Sequence, residues 1–160
     1  SSLNVALGGM GARPTSDGLS TTAFPSGVGA VSVEIAEAAA PVIYHKKEFQ
    51  PDSGGEGEYR GGLGQEIIIG TLTGEPYTLS AAAFERTKQG PAGRSGGKRG
   101  GKGKVTVSDG TIIKDKGNYE ISKGQTVSLI TPGGGGFGKI ENRCKTEQTS
   151  DYKNGLKTKY

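Results

Sequence analysis

The hydrophobic and polar positions of this chain predict mainly β-strands separated by glycine-rich turns. Residues 77–80 alternate apolar and polar side chains, which is typical of a strand with one buried face. The β-branched run at residues 66–72 predicts a strand that is buried on both faces. Residues 126–130 predict a further strand, which ends at Thr131-Pro132 and the glycines that follow. We therefore expect a mainly β fold, an antiparallel sandwich or barrel-like domain with few short helices.

An Asp109-Gly110 pair predicts a β-hairpin. It separates the strand-like runs 105–108 and 111–114. Asp-Gly is favoured in two-residue hairpin turns because both central residues need a positive φ.

Two segments have helical composition. Residues 34–40 are rich in alanine and would form a short helix that ends before Pro41, because a proline disfavours helical backbone in the residue before it. The alternation at residues 31–35 competes with this interpretation and predicts a half-buried strand. A second helix is predicted at about residues 145–153.

The second helix would end at Gly155 and belongs to a polar tail. We divide the chain into a β-rich segment, residues 1–138, and a polar C-terminal tail, residues 139–160. The tail is expected to dock loosely or to fray.

The composition indicates a lean hydrophobic core. Only 31% of the 160 residues are hydrophobic, whereas 30 are glycine. We expect part of the apolar surface that the chain needs to lie on another chain or on a further segment. Residues 1–7 lack an initiator Met and run at once into an apolar segment, which suggests a piece of a longer chain.

The charge pattern argues against a nucleic-acid partner. The net charge is +4, and the basic run 98–104 has no aromatic neighbour for base stacking, so a solvated loop is favoured. No run of 18 apolar residues occurs, so no membrane partner is expected. Cys144 is the only cysteine, which excludes an intrachain disulfide and fits a cytoplasmic location.

The sequence predicts no transition-metal site. His45 is the only histidine, and its neighbours provide no second ligand at a metal-binding spacing. No Asp-x-Asp pattern supports a Mg²⁺ or Ca²⁺ site.

Two short motif matches in the glycine-basic loop are interpreted as chance. Residues 93–97 match a nucleophile elbow, but the flanking strand and helix are absent and His45 lies upstream. Residues 96–103 approach a phosphate-binding loop, but Gly103 replaces the Mg²⁺-binding hydroxyl.

The block from Asp52 to Gly64 is the most informative segment of the chain. Six of its thirteen residues are glycine, and they surround Asp52, Ser53, Tyr59 and Arg60. Such density predicts positive φ or close backbone packing. We expect the planar fork of Arg60 to hold a carboxylate. Asp52 is the first candidate, and an acid of a substrate or partner chain is the second.

A glycine motif near the N-terminus has two interpretations. Gly8, Gly9 and Gly11 precede Arg13, and Asp17 follows shortly afterwards. The Arg13 guanidinium would form either an internal ion pair or a clamp on a ligand carboxylate.

A third glycine motif lies at residues 133–138. The N–H groups of Gly133, Gly134 and their neighbours would form an anion-binding nest. The favoured alternative is a tight loop under a neighbouring strand, with Phe137 as its hydrophobic anchor.

Four blocks in a fixed order resemble the C-terminal part of the hydantoinase B family. They are residues 8–14 with Asp17-Gly18, residues 52–64, residues 90–97 and residues 131–138. The family includes subunits or domains of ATP-dependent hydantoinases and 5-oxoprolinases, and related subunits of acetone and acetophenone carboxylases.

This resemblance implies the C-terminal segment of a hydantoinase B-like subunit of an ATP-dependent cyclic-amide hydrolase, an amidohydrolase several times longer than this chain. A segment of an acetone- or acetophenone-type carboxylase subunit and a non-catalytic assembly module remain as alternatives. No cofactor is expected in this segment, whereas ATP and a divalent metal belong elsewhere in the assembly. The implied partners are the remainder of the subunit and a hydantoinase A-like ATP-using subunit, in a cytoplasmic hetero-oligomer.

The resemblance assigns no catalytic residue to this segment. The family's stretch after Asp17-Gly18 contains His and Asn in some members, but residues 19–28 lack an imidazole here. The structural or ligand-proximal candidates are Gly8, Gly9, Gly11, Arg13, Asp17, Asp52, Ser53, Tyr59, Arg60, Gly133 and Gly134.

Overall fold

A computed structural model describes residues 6–23, 31–82 and 84–159, which form seven β-strands and two short α-helices. No helix in these ranges is long and apolar enough to cross a membrane. The strands are β1 (Val42–Phe49), β2 (Gln65–Thr71), β3 (Tyr77–Ala81), β4 (Lys104–Val107), β5 (Ile112–Ile113), β6 (Gly117–Ile121) and β7 (Val127–Ile130). The helices are α1 (Val33–Ala39) and α2 (Lys145–Lys153), and a 3₁₀ turn covers Ile140–Asn142.

Five strands form an open antiparallel sheet in the order β1-β2-β7-β4-β5, and β3 pairs with β6 in a separate two-stranded ribbon. The ribbon contributes Ala81 and Ile121 to the same buried cluster as the sheet, so the two layers share one core. The sheet contributes Ile67, Val105, Val107, Ile113, Val127 and Leu129. The predicted mainly β, antiparallel fold with few short helices is confirmed, and the sheet does not close into a barrel.

Strand β2 is buried mainly on one face. Ile67 is 3% exposed in the core, whereas Ile68 on the opposite face is half-buried between Lys46 and Ser128. The prediction of burial on both faces is therefore only partly met.

The Asp-Gly hairpin joins β4 and β5 as predicted, but with a different turn. The N–H of Gly110 donates to the Val107 carbonyl at 2.9 Å, so Ser108 and Asp109 are the central residues. Only Gly110 has a positive φ, at 92°. This three-residue loop is a type I turn followed by a glycine bulge, so the expectation of two positive φ values was wrong.

Helix α1 replaces the strand that was proposed at residues 31–35. The Ser32 hydroxyl accepts a hydrogen bond from the Ile35 N–H at 3.4 Å and caps the helix. The helix lies beside the edge of β1, where the Glu37 carboxylate accepts the Tyr44 N–H at 2.8 Å. The helix therefore covers the edge strand β1. The strand that the alternation at residues 31–35 predicted is not formed.

The C-terminal tail is packed rather than frayed. Helix α2 has the predicted bounds, and Gly155 ends it with φ 67°. Arg143, Asp151 and Lys157 are 4%, 3% and 5% exposed. The expectation of loose docking was wrong, because charged side chains of the tail are buried against the rest of the chain.

Candidate functional site

The glycine-rich segments continue four neighbouring strands beyond one end of the sheet. The C-terminal ends of β1 and β7 and the N-terminal ends of β2 and β4 lie at this end, because adjacent strands are antiparallel. We call the structure that results the glycine bundle; it comprises residues 8–12, 17–22, 52–64, 90–103 and 131–138. The sheet therefore fixes one end of each segment that adjoins β2, β4 or β7.

Backbones in the glycine bundle lie too close together for side chains. A methyl group at Gly62 would lie 1.9 Å from the Leu19 carbonyl oxygen, and one at Gly134 would lie 1.9 Å from that of Met10. The six glycines of the Asp52–Gly64 block all avoid positive φ, whereas Asp52 has φ 62°. The block is thus an ordered loop that packs backbone against backbone. Of the two predicted reasons for its glycine density, close backbone packing applies and positive φ does not.

The 133–138 motif is a tight loop at the centre of the bundle. Its N–H groups donate to carbonyl groups of two other bundle segments rather than pointing at a free anion site. These bonds run from Gly133 to Gly101, Gly134 to Gly62, Gly136 to Lys98, Phe137 to Tyr59 and Gly138 to Arg94, at 2.8–3.1 Å. The tight-loop interpretation is favoured over the nest, and Phe137 is half-buried.

Ser53 has a structural role in the bundle. Its hydroxyl donates to the Gln50 carbonyl at 2.6 Å and accepts the Gly64 N–H at 3.0 Å. The side chain is 6% exposed, so it holds the two ends of the block together.

Arg60 holds a carboxylate, but the partner is not Asp52. Its Nε donates to Asp151 Oδ1 at 3.2 Å, and its Nη1 donates to the Gly61 carbonyl at 2.8 Å. The backbone N–H of Arg60 donates to Asp17 Oδ1 at 2.7 Å. The expected pair with Asp52 was wrong because the C-terminal tail delivers a carboxylate to Arg60.

Arg143 completes a buried cluster of two acids and two guanidinium groups. Its fork binds both oxygens of Asp17, with Nη1–Oδ1 at 2.9 Å and Nη2–Oδ2 at 2.8 Å, and Nη2 also reaches Asp151 Oδ2 at 2.7 Å. Burial opposes the charged form of Arg143, but the hydrogen bonds to these acids raise its pKa. Burial likewise opposes the charged form of Asp17, but the hydrogen bonds from Arg143 and Arg60 lower its pKa.

Asp52 binds the end of the tail. Its N–H donates to the Leu156 carbonyl at 3.1 Å, and its carboxylate accepts the N–H and hydroxyl of Thr158. Lys157 inserts its ammonium between Glu56, at 3.0 Å, and Asp52, at 3.5 Å. The hydrogen bond from Lys98 lowers the pKa of Glu56 most strongly. Burial raises this pKa, and the hydrogen bond and charge of Lys157 lower it further.

The remaining candidates are an exposed residue, Arg13, and three residues that contact the bundle through their backbone, Gly8, Gly9 and Tyr59. Arg13 is exposed, and no ion pair of its side chain occurs among the residues that the structure describes. Tyr59 exchanges two backbone hydrogen bonds with Phe137, both at 2.9 Å. Gly8 and Gly9 abut Pro132 and Gly62. Contact of any of these residues with a ligand stays a prediction.

Gly11 differs from the other N-terminal glycines. A methyl group there would lie 3.8 Å from the Gly135 carbonyl, which is ordinary contact. A side chain is therefore tolerated at Gly11, and this position offers a matched control for the crowded glycines.

Within the described ranges, no group of three or more His, Cys, Asp and Glu is arranged to hold a metal ion. The bundle acids Asp17, Asp52 and Glu56 instead face cations of the chain itself. A divalent metal therefore does not fit the described residues.

Sequence reasoning missed the tail residues Arg143, Asp151 and Lys157. They lie in a polar segment without hydrophobic periodicity, so nothing in the local pattern marked them as buried. The only signal was indirect. The glycine-rich block predicted that Arg60 holds a carboxylate, and Asp151 of the tail provides it.

Comparison with known proteins identifies the family. A family model described as Hydantoinase B/oxoprolinase matches residues 1–140. The chain belongs to this family. It is 32% identical over 140 residues to the 5-oxoprolinase of Dictyostelium discoideum, covering 84% of this chain and 11% of that protein. It is 29% identical over 138 residues to the caprolactamase subunit beta of Pseudomonas jessenii, covering 78% of this chain and 22% of that subunit.

Solved structures show the same fold for this hydantoinase B-like chain. The ATP-dependent caprolactamase of Pseudomonas jessenii superposes with a TM-score of 0.81 at 24% identity, over 96% of this chain and 28% of that chain. A nucleotide-free acetone carboxylase superposes with a TM-score of 0.78 at 21% identity, over 96% of this chain and 25% of that chain. The chain thus spans between about a tenth and about a quarter of the relatives it matches.

Proposed function

We propose that this chain is the C-terminal segment of a hydantoinase B-like subunit of an ATP-dependent cyclic-amide hydrolase, in which the glycine bundle serves as a rigid scaffold. The 5-oxoprolinase and caprolactamase relatives are both named for cyclic-amide substrates, which favours hydrolysis of a lactam ring over carboxylation of a ketone.

The observation that carries the scaffold role is the use of the bundle's polar groups. The backbone N–H groups of Gly133, Gly134 and Gly136 donate to carbonyl groups within the chain. The carboxylates of Asp17 and Asp151 bind the chain's own guanidinium groups. Groups that are engaged in this way hold segments in place and leave the chemistry to residues outside this segment.

The proposal also assigns partners. The relative from Pseudomonas jessenii is a beta subunit, which supports a hetero-oligomer in which a hydantoinase A-like subunit uses ATP to activate the amide oxygen. ATP and a divalent metal would bind in other parts of that assembly. A cytoplasmic location belongs to the same proposal and is supported by the single cysteine, Cys144.

The test is an assay of the purified assembly that contains this chain. Hydantoin, 5-oxoproline, caprolactam and acetone would each be supplied with ATP, with and without bicarbonate. We expect ATP-dependent ring opening of a cyclic amide that does not require bicarbonate. Bicarbonate-dependent consumption of acetone would instead identify a carboxylase and overturn the proposal.

A second arm tests the scaffold role. The Gly134→Ala assembly is expected to lose ring opening, whereas the matched Gly11→Ala assembly retains it, because only at Gly134 would the added methyl group clash with another backbone. Equal activity of the two variants would contradict the scaffold role.

A further inference from the structure

Two clusters of charged residues attach the C-terminal residues 143–158 to the glycine bundle. Arg143 and Asp151 bind Asp17 and Arg60 at one end. The only residue of α2 classed as buried is an acid, Asp151.

The other end is fixed by a second charge cluster. Lys157 has a side chain that is 3% exposed and contacts Asp52 and Glu56, which is 20% exposed. Thr158 donates its N–H to Asp52 at 3.1 Å. Tyr152, between the two clusters, is 44% exposed and Leu156 is half-buried, and neither belongs to the core that the sheet and ribbon share.

The binding residues of the bundle and the tail belong to different parts of the chain. Asp17, Asp52, Glu56 and Arg60 lie within residues 1–140, the range that the family model matches, whereas Arg143, Asp151 and Lys157 lie beyond it. None of the tail residues belongs to the core that the sheet and ribbon share. Detachment of the tail therefore removes no residue from that core.

We propose that residues 143–158 form a strap that opens and closes as one unit while the β-sheet stays folded. Opening uncovers a face of the bundle with three carboxylates, Asp17, Asp52 and Glu56, beside Arg60. In the closed state this face is filled by the strap's own Lys157. Because the closing contacts are ion pairs, salt favours the open state by screening the separated charges. The salt concentration therefore controls access to this face.

The test is hydrogen–deuterium exchange of the full chain at low salt and at about 1 M NaCl. The strap amide of Thr158 donates to the Asp52 carboxylate, and the amide of Asp52 donates to the strap carbonyl of Leu156, so opening breaks both hydrogen bonds. We expect salt to accelerate the exchange of these two amides and to leave the amides of Ile67 and Leu129 in the central strands unchanged.

A pair of variants separates this strap from general unfolding. Lys157→Met keeps the apolar stem but removes the ammonium, and it should accelerate strap exchange by about tenfold or more, the effect of losing one charge-assisted hydrogen bond. The matched control is Lys159→Met, because Lys159 is exposed two positions further on.

The outcomes decide the proposal. Faster exchange of the strap alone, in salt and in Lys157→Met but not in Lys159→Met, supports it. Strap and sheet amides that accelerate together would show one cooperative unit and overturn it. Strap exchange that is unaffected by salt would overturn it as well. This comparison uses the unsubstituted chain, so it does not depend on whether Lys157→Met folds.

Discussion

Arg60 and Asp151 form a buried ion pair between residues 91 positions apart, with Arg60 Nε 3.2 Å from Asp151 Oδ1. Their side chains are 6% and 4% exposed. The pair joins the Asp52–Gly64 block to helix α2.

Replacing Arg60 by Lys should destabilise the protein by about 2 kcal/mol. An ammonium cannot reach both the Asp151 carboxylate and the Gly61 carbonyl in the geometry of the guanidinium fork. Urea unfolding followed by circular dichroism measures the loss. The control is Arg13→Lys at an exposed position, which should change the free energy of unfolding by less than about 0.5 kcal/mol. Equal stabilities of the two variants would show that the fork contributes nothing.

Replacing Gly134 by Ala should destabilise the protein by about 3 kcal/mol or more, because the new methyl group would lie 1.9 Å from the Met10 carbonyl oxygen. The same substitution at Gly11 meets its first neighbour at 3.8 Å and should be nearly neutral. Thermal unfolding of both variants compares the two positions. A melting temperature of Gly134→Ala equal to that of the unsubstituted protein would mean that the bundle opens to admit side chains.

The stability that Asp17 contributes should depend on pH. Its folded-state pKa is lowered from the usual 3.8 by Arg143 and Arg60 despite burial. A carboxyl group with a lowered folded-state pKa stabilises the protein above its unfolded-state pKa and loses this effect as the pH falls through the folded-state value. Asp17→Asn should therefore be less stable by about 1–2 kcal/mol near neutral pH, and the difference should shrink below about pH 4.

Urea unfolding of both proteins between about pH 7 and pH 3 measures this difference. Asp115→Asn, at an exposed position, is the matched control and should follow the unsubstituted protein. A difference between Asp17→Asn and the unsubstituted protein that stays constant across this range would contradict the assigned role of the Asp17 charge.

The chain should bind no transition metal. It contains one imidazole, His45, and one thiol, Cys144, and zinc sites typically need four such ligands. Elemental analysis after incubation with Zn²⁺ and Mn²⁺, followed by gel filtration, should find less than one equivalent bound. A stoichiometric ion with three or more ligands from this chain would refute the prediction.

The strands could be predicted where periodicity was clear. Residues 77–80 lie in β3, and the predicted runs 105–108 and 126–130 overlap β4 and β7, because alternating side chains face a core. Strand β1 gave no such signal: it is an edge strand with charges on its exposed positions and a register shift between Tyr44 and Lys46. Its pairing depends on β2 and on the cover from α1, which the local pattern does not encode.

The candidate site could be predicted only in part. Glycine density correctly marked residues 52–64 as a crowded backbone, because close approach excludes a Cβ atom. The partner of Arg60 could not be predicted, because an ion pair leaves no periodic trace in the sequence. Asp52 was near in sequence, but Asp151 is near in space, and only the packing of the tail distinguishes them.

We expect the glycine bundle to be the last part of the protein to fold. Its contacts close very long loops, such as the hydrogen bond from the Thr131 hydroxyl to the Leu7 carbonyl across 124 positions. Glycine loses more backbone freedom on ordering than any other residue, and these segments gain little apolar contact before they meet. We therefore expect the β4–β5 hairpin and the sheet to assemble first and the bundle to close last. Gly134→Ala should then accelerate unfolding in stopped-flow measurements and leave the refolding rate nearly unchanged.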